Sequence, residues 1–320
     1  MKKKKTIKYI AAAGTLLTAA GAALGVDFLH KMATARKAPL PKVLKLSEYE
    51  FFNGNEDYLR AVDEGMQWLK ETPHEDIEIT SFDGLKLEGH LYLAENAKRT
   101  IIMMHGFRSS WIRDFSLAGK EFFEVGCNLL IVEQRAHGNS DGKYITYGVF
   151  ERYDCLYWAL YAAERFGELP LYLDGISMGA ATVLMASALP LPDTVKGIIA
   201  DCGYTSPKAI ISKVFNDKSP VPSRGLVAAV SKYSKFAAGY DFDDYSTLDA
   251  MRENTRPIFF AHGDADDFVP MEMTLQNYEA CTAPKTLFIA KGATHGLSYL
   301  AQHDEYYNEL LEFFAKYDNA

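Results

Sequence analysis

The feature that most constrains the fold is a G-x-S-x-G pentapeptide at residues 175–179, which lies between two apolar runs. Residues 171–173 predict the end of a buried strand, and residues 180–185 predict a helix. Glycine at both ends of the pentapeptide lets strand and helix approach closely, because a Cβ there would clash. Ser177 is therefore predicted in a strained turn beside free helical N–H groups, which favour a nearby oxyanion. The alternative is a tight turn with a solvent-facing serine.

A serine nucleophile needs a general base and a third group that orients the base. Two short apolar strands are predicted downstream, at residues 258–261 and 286–290. The loop after the first carries aspartates at positions 264, 266 and 267, and the loop after the second carries His295. The chain order of serine, acid and histidine differs from that of chymotrypsin and of subtilisin. His295 is the predicted base, because it follows both the serine and the acid at the end of a strand.

The other seven histidines are assigned structural or surface positions. His105 and His137 each close a predicted strand, and His262 begins the acidic loop, where we expect it to hydrogen-bond the loop backbone. The remaining four histidines belong to no motif: His30, His74, His90 and His303.

Two further segments carry a resemblance to known proteins. Residues 133–142 read Glu-Gln-Arg-Ala-His-Gly-Asn-Ser-Asp-Gly, and residues 262–270 read His-Gly-Asp-Ala-Asp-Asp-Phe-Val-Pro. With the pentapeptide and the triad order, they make residues 70–318 similar to the α/β-hydrolase superfamily of serine esterases, lipases and peptidases. Within it, the chain resembles bacterial hydrolases of the prolyl-oligopeptidase-like and monoacylglycerol-lipase-like branches. The resemblance is specific to the fold and the triad, and it does not define a substrate.

The resemblance implies roles for single residues. The loop pattern H-G-x-x-D-x-x-V-P places the acid at Asp266. Asp201, at the end of the strand after the nucleophile helix, is the alternative, because some members carry their acid there. The oxyanion hole is implied at the backbone N–H groups of Met178, which follows the nucleophile, and of Phe107, which follows a His-Gly pair.

Strand and helix patterns alternate through residues 76–320, which predicts an α/β-hydrolase fold with a doubly wound, mostly parallel, eight-stranded sheet. Residues 204–250 interrupt this alternation and are too long for an ordinary connection. We expect them to form a small helical cap over Ser177, with a packed surface appendage as the alternative. Trp111 and Tyr204 are candidate residues of the substrate pocket.

The N-terminus resembles a membrane-directed segment. Lys2–Lys5 precede residues 9–26, which carry no charge and have about the minimum length for a bilayer span. Residues 1–37 are predicted as an uncleaved signal anchor, with the catalytic domain outside the cytoplasm by the positive-inside rule. The alternative is a secreted protein, with cleavage near residues 33–35. Residues 38–75 are predicted as a stalk and a packing helix.

Composition excludes several classes of function. The net charge is −8, and no basic stripe is present, so a nucleic-acid partner is not expected. The sequence has no C-x-x-C, no H-E-x-x-H and no phosphate-binding glycine loop, so we expect neither a metal nor another cofactor. The four cysteines fall in predicted core elements and indicate isolated thiols.

Together these patterns predict a serine hydrolase of the carboxylesterase or lipase type, which cleaves small-molecule acyl esters through an acyl-enzyme. A peptidase that cleaves amides and an acyltransferase would use the same triad. A non-catalytic binding protein on a hydrolase fold is the alternative from a different class. The sequence does not indicate an oligomeric state.

Overall fold

The computed structural model describes residues 21–37, 55–218 and 223–318. One sheet crosses the molecule, and its strands are β1 (Glu75–Thr80), β2 (Lys86–Tyr92), β3 (Arg99–Met104), β4 (Cys127–Val132), β5 (Leu171–Ile176), β6 (Val195–Asp201), β7 (Ile258–Gly263) and β8 (Lys285–Ala290). The helices of the described residues are α1 (21–34), α2 (Glu56–Glu71), α3 (Trp111–Asp114), α4 (Gly119–Glu124), α5 (Glu151–Phe166), α6 (Met178–Ala186), α7 (Pro207–Lys218), α8 (Arg224–Ala238), α9 (Thr247–Glu253), α10 (Met271–Ala280), α11 (Ser298–Ala301) and α12 (His303–Tyr317).

The sheet has the strand order β1-β2-β4-β3-β5-β6-β7-β8. Strands β3 to β8 pair in parallel, whereas β1 pairs antiparallel with β2, and β2 pairs antiparallel with β4. Every residue of β3 and β4 is buried, as expected for parallel strands covered on both faces. The edge strand β1 alternates between exposed and half-buried residues. The predicted fold class is therefore confirmed.

Helices cover both faces of the sheet, and each face has its own apolar core. On one face, Trp158 of α5 and Leu184 of α6 pack with β2, β3 and β5. On the other face, Leu69 of α2, Phe122 of α4 and Phe314 of α12 pack with β3, β4 and β7. These two layers hold the carboxyl ends of the parallel strands at one edge of the sheet, which is where open α/β sheets bind ligands.

A third apolar cluster lies over this edge of the sheet. It joins Met178, at the start of α6, to Tyr204 and Phe242 from the segment between β6 and β7. The predicted cap segment contains helices α7 and α8 and the start of α9, and Lys213 of α7 donates a hydrogen bond to the carbonyl oxygen of Asp267. The helical segment thus packs over the nucleophile turn and the acid loop.

Residues 21–37 pack against the catalytic domain, although the sequence assigned them to a leader apart from it. Val26 and Leu29 of α1 contact the third apolar cluster. The hydroxyl of Tyr147 donates to the carbonyl of Ala33 at 2.7 Å, and the amide of Ile145 donates to the carbonyl of Thr34 at 2.7 Å. The candidate cleavage site at residues 33–35 therefore lies within a packed segment.

The remaining predictions for the N-terminal region fall partly outside the described residues. Most of the predicted membrane span, residues 9–26, precedes residue 21. Within the described ranges, no helix is both long and apolar enough to cross a bilayer. The predicted packing helix corresponds to α2, which Asn55 caps through hydrogen bonds from the amides of Asp57 and Tyr58. The proposed stalk before it lies outside the described residues.

Candidate active site

The turn between β5 and α6 holds Ser177 in a strained backbone conformation. Its φ is 58° and its ψ is −111°, a region that non-glycine residues rarely adopt. The amide of Ser177 donates to the carbonyl of Asp201 at 2.8 Å, which ties the turn to the neighbouring strand β6. A Cβ on Gly175 would lie 2.3 Å from the backbone of Gly179. The glycine is therefore required by the close approach of strand and helix.

Gly179 is the tightest point of this turn, because an added Cβ would lie 1.7 Å from the carbonyl oxygen of Met104 on β3. We expect Gly179→Ala to destabilise the protein by about 3 kcal/mol or more in urea unfolding, since backbone must move to relieve the overlap. Gly225→Ala in α8 is the matched control, because a Cβ added there would meet no other part of the molecule within 4 Å. The control should stabilise the protein by up to about 1 kcal/mol. Equal stability of the two variants would contradict this account.

Ser177, His295 and Asp266 form one hydrogen-bonded chain. His295 Nε2 lies 2.9 Å from Ser177 Oγ, and His295 Nδ1 lies 2.7 Å from Asp266 Oδ2. The carboxylate can only accept at Nδ1, so the neutral ring carries its proton there and turns the Nε2 lone pair to the hydroxyl. The arrangement can therefore remove the proton from Ser177 Oγ during nucleophilic attack.

Hydrogen bonds stabilise the ionised form of Asp266. The amides of Phe268 and Val269 donate to its Oδ1 at 2.9 Å each, while His262 Nε2 lies 3.1 Å from Oδ2. Burial favours a higher pKa for Asp266, but the hydrogen bonds from His262 and His295 outweigh burial and hold the pKa below its usual range. Asp266 is thus a carboxylate at neutral pH and can stabilise a cationic His295.

The alternative acid, Asp201, lies nearby but engages a different partner. Its Oδ1 accepts a hydrogen bond from the Ser298 hydroxyl at 2.8 Å. Burial raises the pKa of Asp201, so its ionised form is disfavoured. The carboxylate that accepts the hydrogen bond from His295 Nδ1 is Asp266. The geometry therefore favours Asp266 over Asp201 for the acid role.

The loop after β3 lies directly against the nucleophile, since a Cβ on Gly106 would be 3.5 Å from Ser177 Cβ. The amide of Gly106 donates to Asp114 Oδ2 at 2.7 Å, and the amide of Arg108 donates to His137 Nε2 at 3.0 Å. The amide of Phe107 lies between these two. Met178 is the first residue of α6, where helical N–H groups lack intrahelical acceptors. The role of these two amides as oxyanion donors stays a prediction.

Two buried histidines support the same loop as neutral side chains. His137 Nδ1 donates to the carbonyl of Arg135 at 2.9 Å, which leaves Nε2 free to accept from Arg108. His105 Nδ1 donates to the carbonyl of Gly106 at 2.9 Å. Burial lowers the pKa of His105 to about 4, and burial together with His105 lowers the pKa of His137 to about 3. Both rings are placed for structural roles, in line with the sequence analysis.

The two candidate pocket residues occupy different places. Tyr204 is buried in the third apolar cluster with Met178, beside the nucleophile turn. The indole of Trp111 instead stacks on His90 of β2, with ring centroids 3.9 Å apart, and packs against the core beneath α2. The structure therefore places Tyr204 near the candidate site and Trp111 at the β2 side of the sheet.

The sequence analysis did not predict the roles of three residues that support the site. Asp114 holds the Gly106 amide and also accepts from the Ser109 hydroxyl. Arg108 donates to the carbonyls of Met32 and Ala35, so the end of α1 anchors the loop beside Phe107. His262 contacts the loop carbonyl of Val269, in line with the expected hydrogen bond to loop backbone, and it also contacts Asp266. Only His262 lay within a recognisable motif, because the other contacts depend on tertiary packing.

Comparisons with known proteins agree with this geometry. The sequence model of the family described as "Serine aminopeptidase, S33" matches residues 95–247. The uncharacterized protein YqkD of Bacillus subtilis is 27% identical over 307 residues, which cover 96% of each chain. The uncharacterized protein YfhR of Escherichia coli K12 is 22% identical over 245 residues, which cover 75% of this chain and 80% of YfhR.

Solved structures with the same fold include one described as an esterase and one solved with ferulic acid bound. The Pyrococcus furiosus esterase Pf2001 is 23% identical, with a TM-score of 0.64 over 78% of this chain and 93% of its own. Est1E of Butyrivibrio proteoclasticus, solved with ferulic acid, is 19% identical, with a TM-score of 0.55 over 76% of this chain and 100% of its own. The chain has the α/β-hydrolase fold. Its sheet order, nucleophile turn and matched segment all agree with this placement.

Proposed function

We propose that this protein is a serine hydrolase that cleaves carboxylic esters through an acyl-enzyme. The observation that carries the proposal is the hydrogen-bonded chain from Ser177 Oγ through His295 to Asp266. A binding protein on this fold would have no need for a strained serine aligned with a base and an oriented acid. The α/β-hydrolase fold and the match to a serine aminopeptidase family over residues 95–247 support the hydrolase class.

In the proposed reaction, Ser177 Oγ attacks the acyl carbonyl while His295 Nε2 accepts its proton. The amides of Phe107 and Met178 donate to the oxygen that becomes negatively charged. His295 then returns the proton to the leaving alcohol, and Asp266 stabilises the transient imidazolium. Attack by water, with His295 again as base, releases the acid and restores Ser177.

Esters are the favoured substrates because the nucleophile turn lies beneath an apolar cluster that includes Met178, Tyr204 and Phe242. Apolar surroundings of this kind suit an acyl chain better than a charged peptide. The Pyrococcus furiosus protein of the same fold that is described as an esterase points the same way. Peptide hydrolysis is the second candidate, because the matching family is described as a serine aminopeptidase.

We further propose that the N-terminal segment holds the domain at a lipid bilayer. Leu24 and Phe28, one helical turn apart on α1, are 70% and 49% exposed, and Phe236 of α8 is 88% exposed. The three belong to adjoining elements, because Tyr233 of α8 lies beside Phe236 and donates to Asp27 of α1 at 2.8 Å. In the sequence, the uncharged residues 9–20 precede α1, and together with this exposed apolar surface they support a membrane-facing side.

The function is tested with a fluorophosphonate probe and two substrate series on the full-length protein. We expect the probe adduct to map to Ser177 by mass spectrometry, and p-nitrophenyl esters to be hydrolysed with an optimum that reports the length of the acyl pocket. Ser177→Ala serves as the unlabelled and inactive control. Faster cleavage of aminoacyl p-nitroanilides than of any ester would favour the peptidase. Absence of labelling and of turnover in the folded protein would refute the hydrolase proposal.

A further inference from the structure

A second cluster of polar side chains lies on the antiparallel side of the sheet. Asp76 of β1 is the register partner of His90 on β2, and His74 precedes β1 by one residue. Asp76 Oδ1 lies 2.8 Å from His90 Nδ1 and 3.6 Å from His74 Nε2. One ligand atom from each of the three residues falls within 4.8 Å of the other two. Two imidazoles and a carboxylate thus converge on a single point.

The remaining ring nitrogens orient the two imidazoles toward this point. His74 Nδ1 lies 3.0 Å from the carbonyl oxygen of Thr72, so it carries the proton and leaves the Nε2 lone pair facing Asp76. His90 Nε2 is buried and lies 3.6 Å from Glu133 Oε1, without a hydrogen-bond partner among the described residues. Without a bound ion, His90 Nδ1 donates a hydrogen bond to Asp76 Oδ1. Once Nδ1 loses this proton and Nε2–H points to Glu133, the lone pair of Nδ1 faces Asp76 as well.

A metal cation at this point would take the place of the proton between His90 Nδ1 and Asp76, and three electron pairs would then be directed at it. The two distances to Asp76 Oδ1, 2.8 and 3.6 Å, bracket the separation of roughly 3.3 Å expected between two ligands at about 2.0–2.1 Å from a tetrahedral Zn²⁺. Histidines that bind metals usually donate their other N–H to a carbonyl or carboxylate. Thr72 and Glu133 occupy these supporting positions.

The surroundings suit a site that is closed on one side and open on the other. Trp111 stacks on the His90 ring, and the His90 and Glu133 side chains are buried. The Asp76 side chain is 67% exposed, which gives an ion a path from solvent and leaves room for a water ligand. This site shares no residue with the Ser177–His295–Asp266 chain.

We propose that His74, Asp76 and His90 bind a divalent transition-metal ion of the Zn²⁺ type, with water in the fourth position. Two imidazoles and one carboxylate are a ligand set that favours zinc over calcium or magnesium. Bound metal would join the segment after α2 to the β1–β2 hairpin and so stabilise the edge of the sheet. The sequence showed no metal motif because the site depends on a cross-strand pair fourteen residues apart.

The proposal is tested by metal binding to the full-length protein after chelator treatment and dialysis. Against a chromophoric zinc chelator, the wild type should bind one Zn²⁺ with a Kd of about 1 µM or tighter. Zn²⁺ at 100 times the Kd should raise Tm by about 4 °C. His74→Gln and Asp76→Asn should each weaken binding about 100-fold, and Glu133→Gln about 10-fold. His303→Gln, which removes an exposed histidine between two carboxylates, should not weaken it.

A measurement on the wild type alone tests the proposal even if the variants fail to fold. Co²⁺ added to the metal-free protein should give the visible absorption of a four-coordinate ion, and equimolar Zn²⁺ should abolish it. If folded wild-type protein binds neither ion, or if His74→Gln and His303→Gln bind equally well, the proposal is wrong. In that case His90 serves as a cation paired with Asp76 and Glu133.

Discussion

Replacing Asp266 by asparagine is expected to lower kcat/KM for ester hydrolysis by about 10⁴-fold. The asparagine amide would present an N–H to His295 Nδ1, so the ring proton would move to Nε2. His295 could then no longer accept the proton of Ser177, although the three side chains would keep their places. Steady-state kinetics with a p-nitrophenyl ester measure the loss, and circular dichroism checks that the variant is folded.

Asp201→Asn is the matched control for this experiment. Asp201 is also buried at the carboxyl end of a neighbouring strand, but it pairs with Ser298 instead of His295. We expect this variant to keep kcat/KM within about tenfold of the wild type, because the triad hydrogen bonds remain. A large loss in Asp201→Asn with a small loss in Asp266→Asn would show that the acid has been assigned to the wrong strand.

Deleting residues 1–37 is expected to lower Tm on the order of 10 °C and to reduce ester hydrolysis at least about tenfold. The deletion removes the carbonyl acceptors of Tyr147, Ile145 and Arg108, each worth about 1 kcal/mol net, and exposes the apolar surface beneath α1. Activity should fall because Arg108 then loses the contacts that anchor the loop beside the Phe107 amide. Differential scanning fluorimetry and the ester assay measure the two effects.

Deleting only residues 1–20 separates membrane attachment from folding. This variant keeps α1 and should retain the Tm and the kcat/KM of the full-length protein. It should float less with phosphatidylglycerol vesicles, because the lysine-rich and uncharged segment is missing. Equal stability of the two deletions would contradict the docked position of α1. Equal vesicle binding by full-length protein and the shorter deletion would contradict attachment through residues 1–20.

Much of the fold follows from local patterns. The predicted strands at residues 258–261 and 286–290 fall within β7 and β8, and the predicted helix at residues 180–185 falls within α6. These elements were readable because parallel strands buried on both faces are short continuous apolar runs, and amphipathic helices separate them. The convergence of Ser177, Asp266 and His295 was predictable for the same reason, since each follows the carboxyl end of a parallel strand.

Other features could not be predicted, because they depend on contacts between distant segments. Residues 21–26 belong to an uncharged run that suggests a membrane span, and only the apolar surface that α1 meets reveals a docked helix. Asp114 belongs to no motif, and its role exists only because the loop folds back on the amide of Gly106. The pairing of Asp76 with His90 depends on strand register, which composition does not define.

The docking of α1 has a consequence for the order of events during synthesis. This helix is synthesised before its partners Arg108, Tyr147 and Tyr233, and Tyr233 lies 206 residues beyond Asp27. The apolar side of α1 therefore stays without these partners until most of the intervening chain has been synthesised. Because Arg108 joins α1 to the loop beside Ser177, the candidate active site is complete only after α1 has docked on the folded domain. Ser177 is thus synthesised before the site that surrounds it has formed.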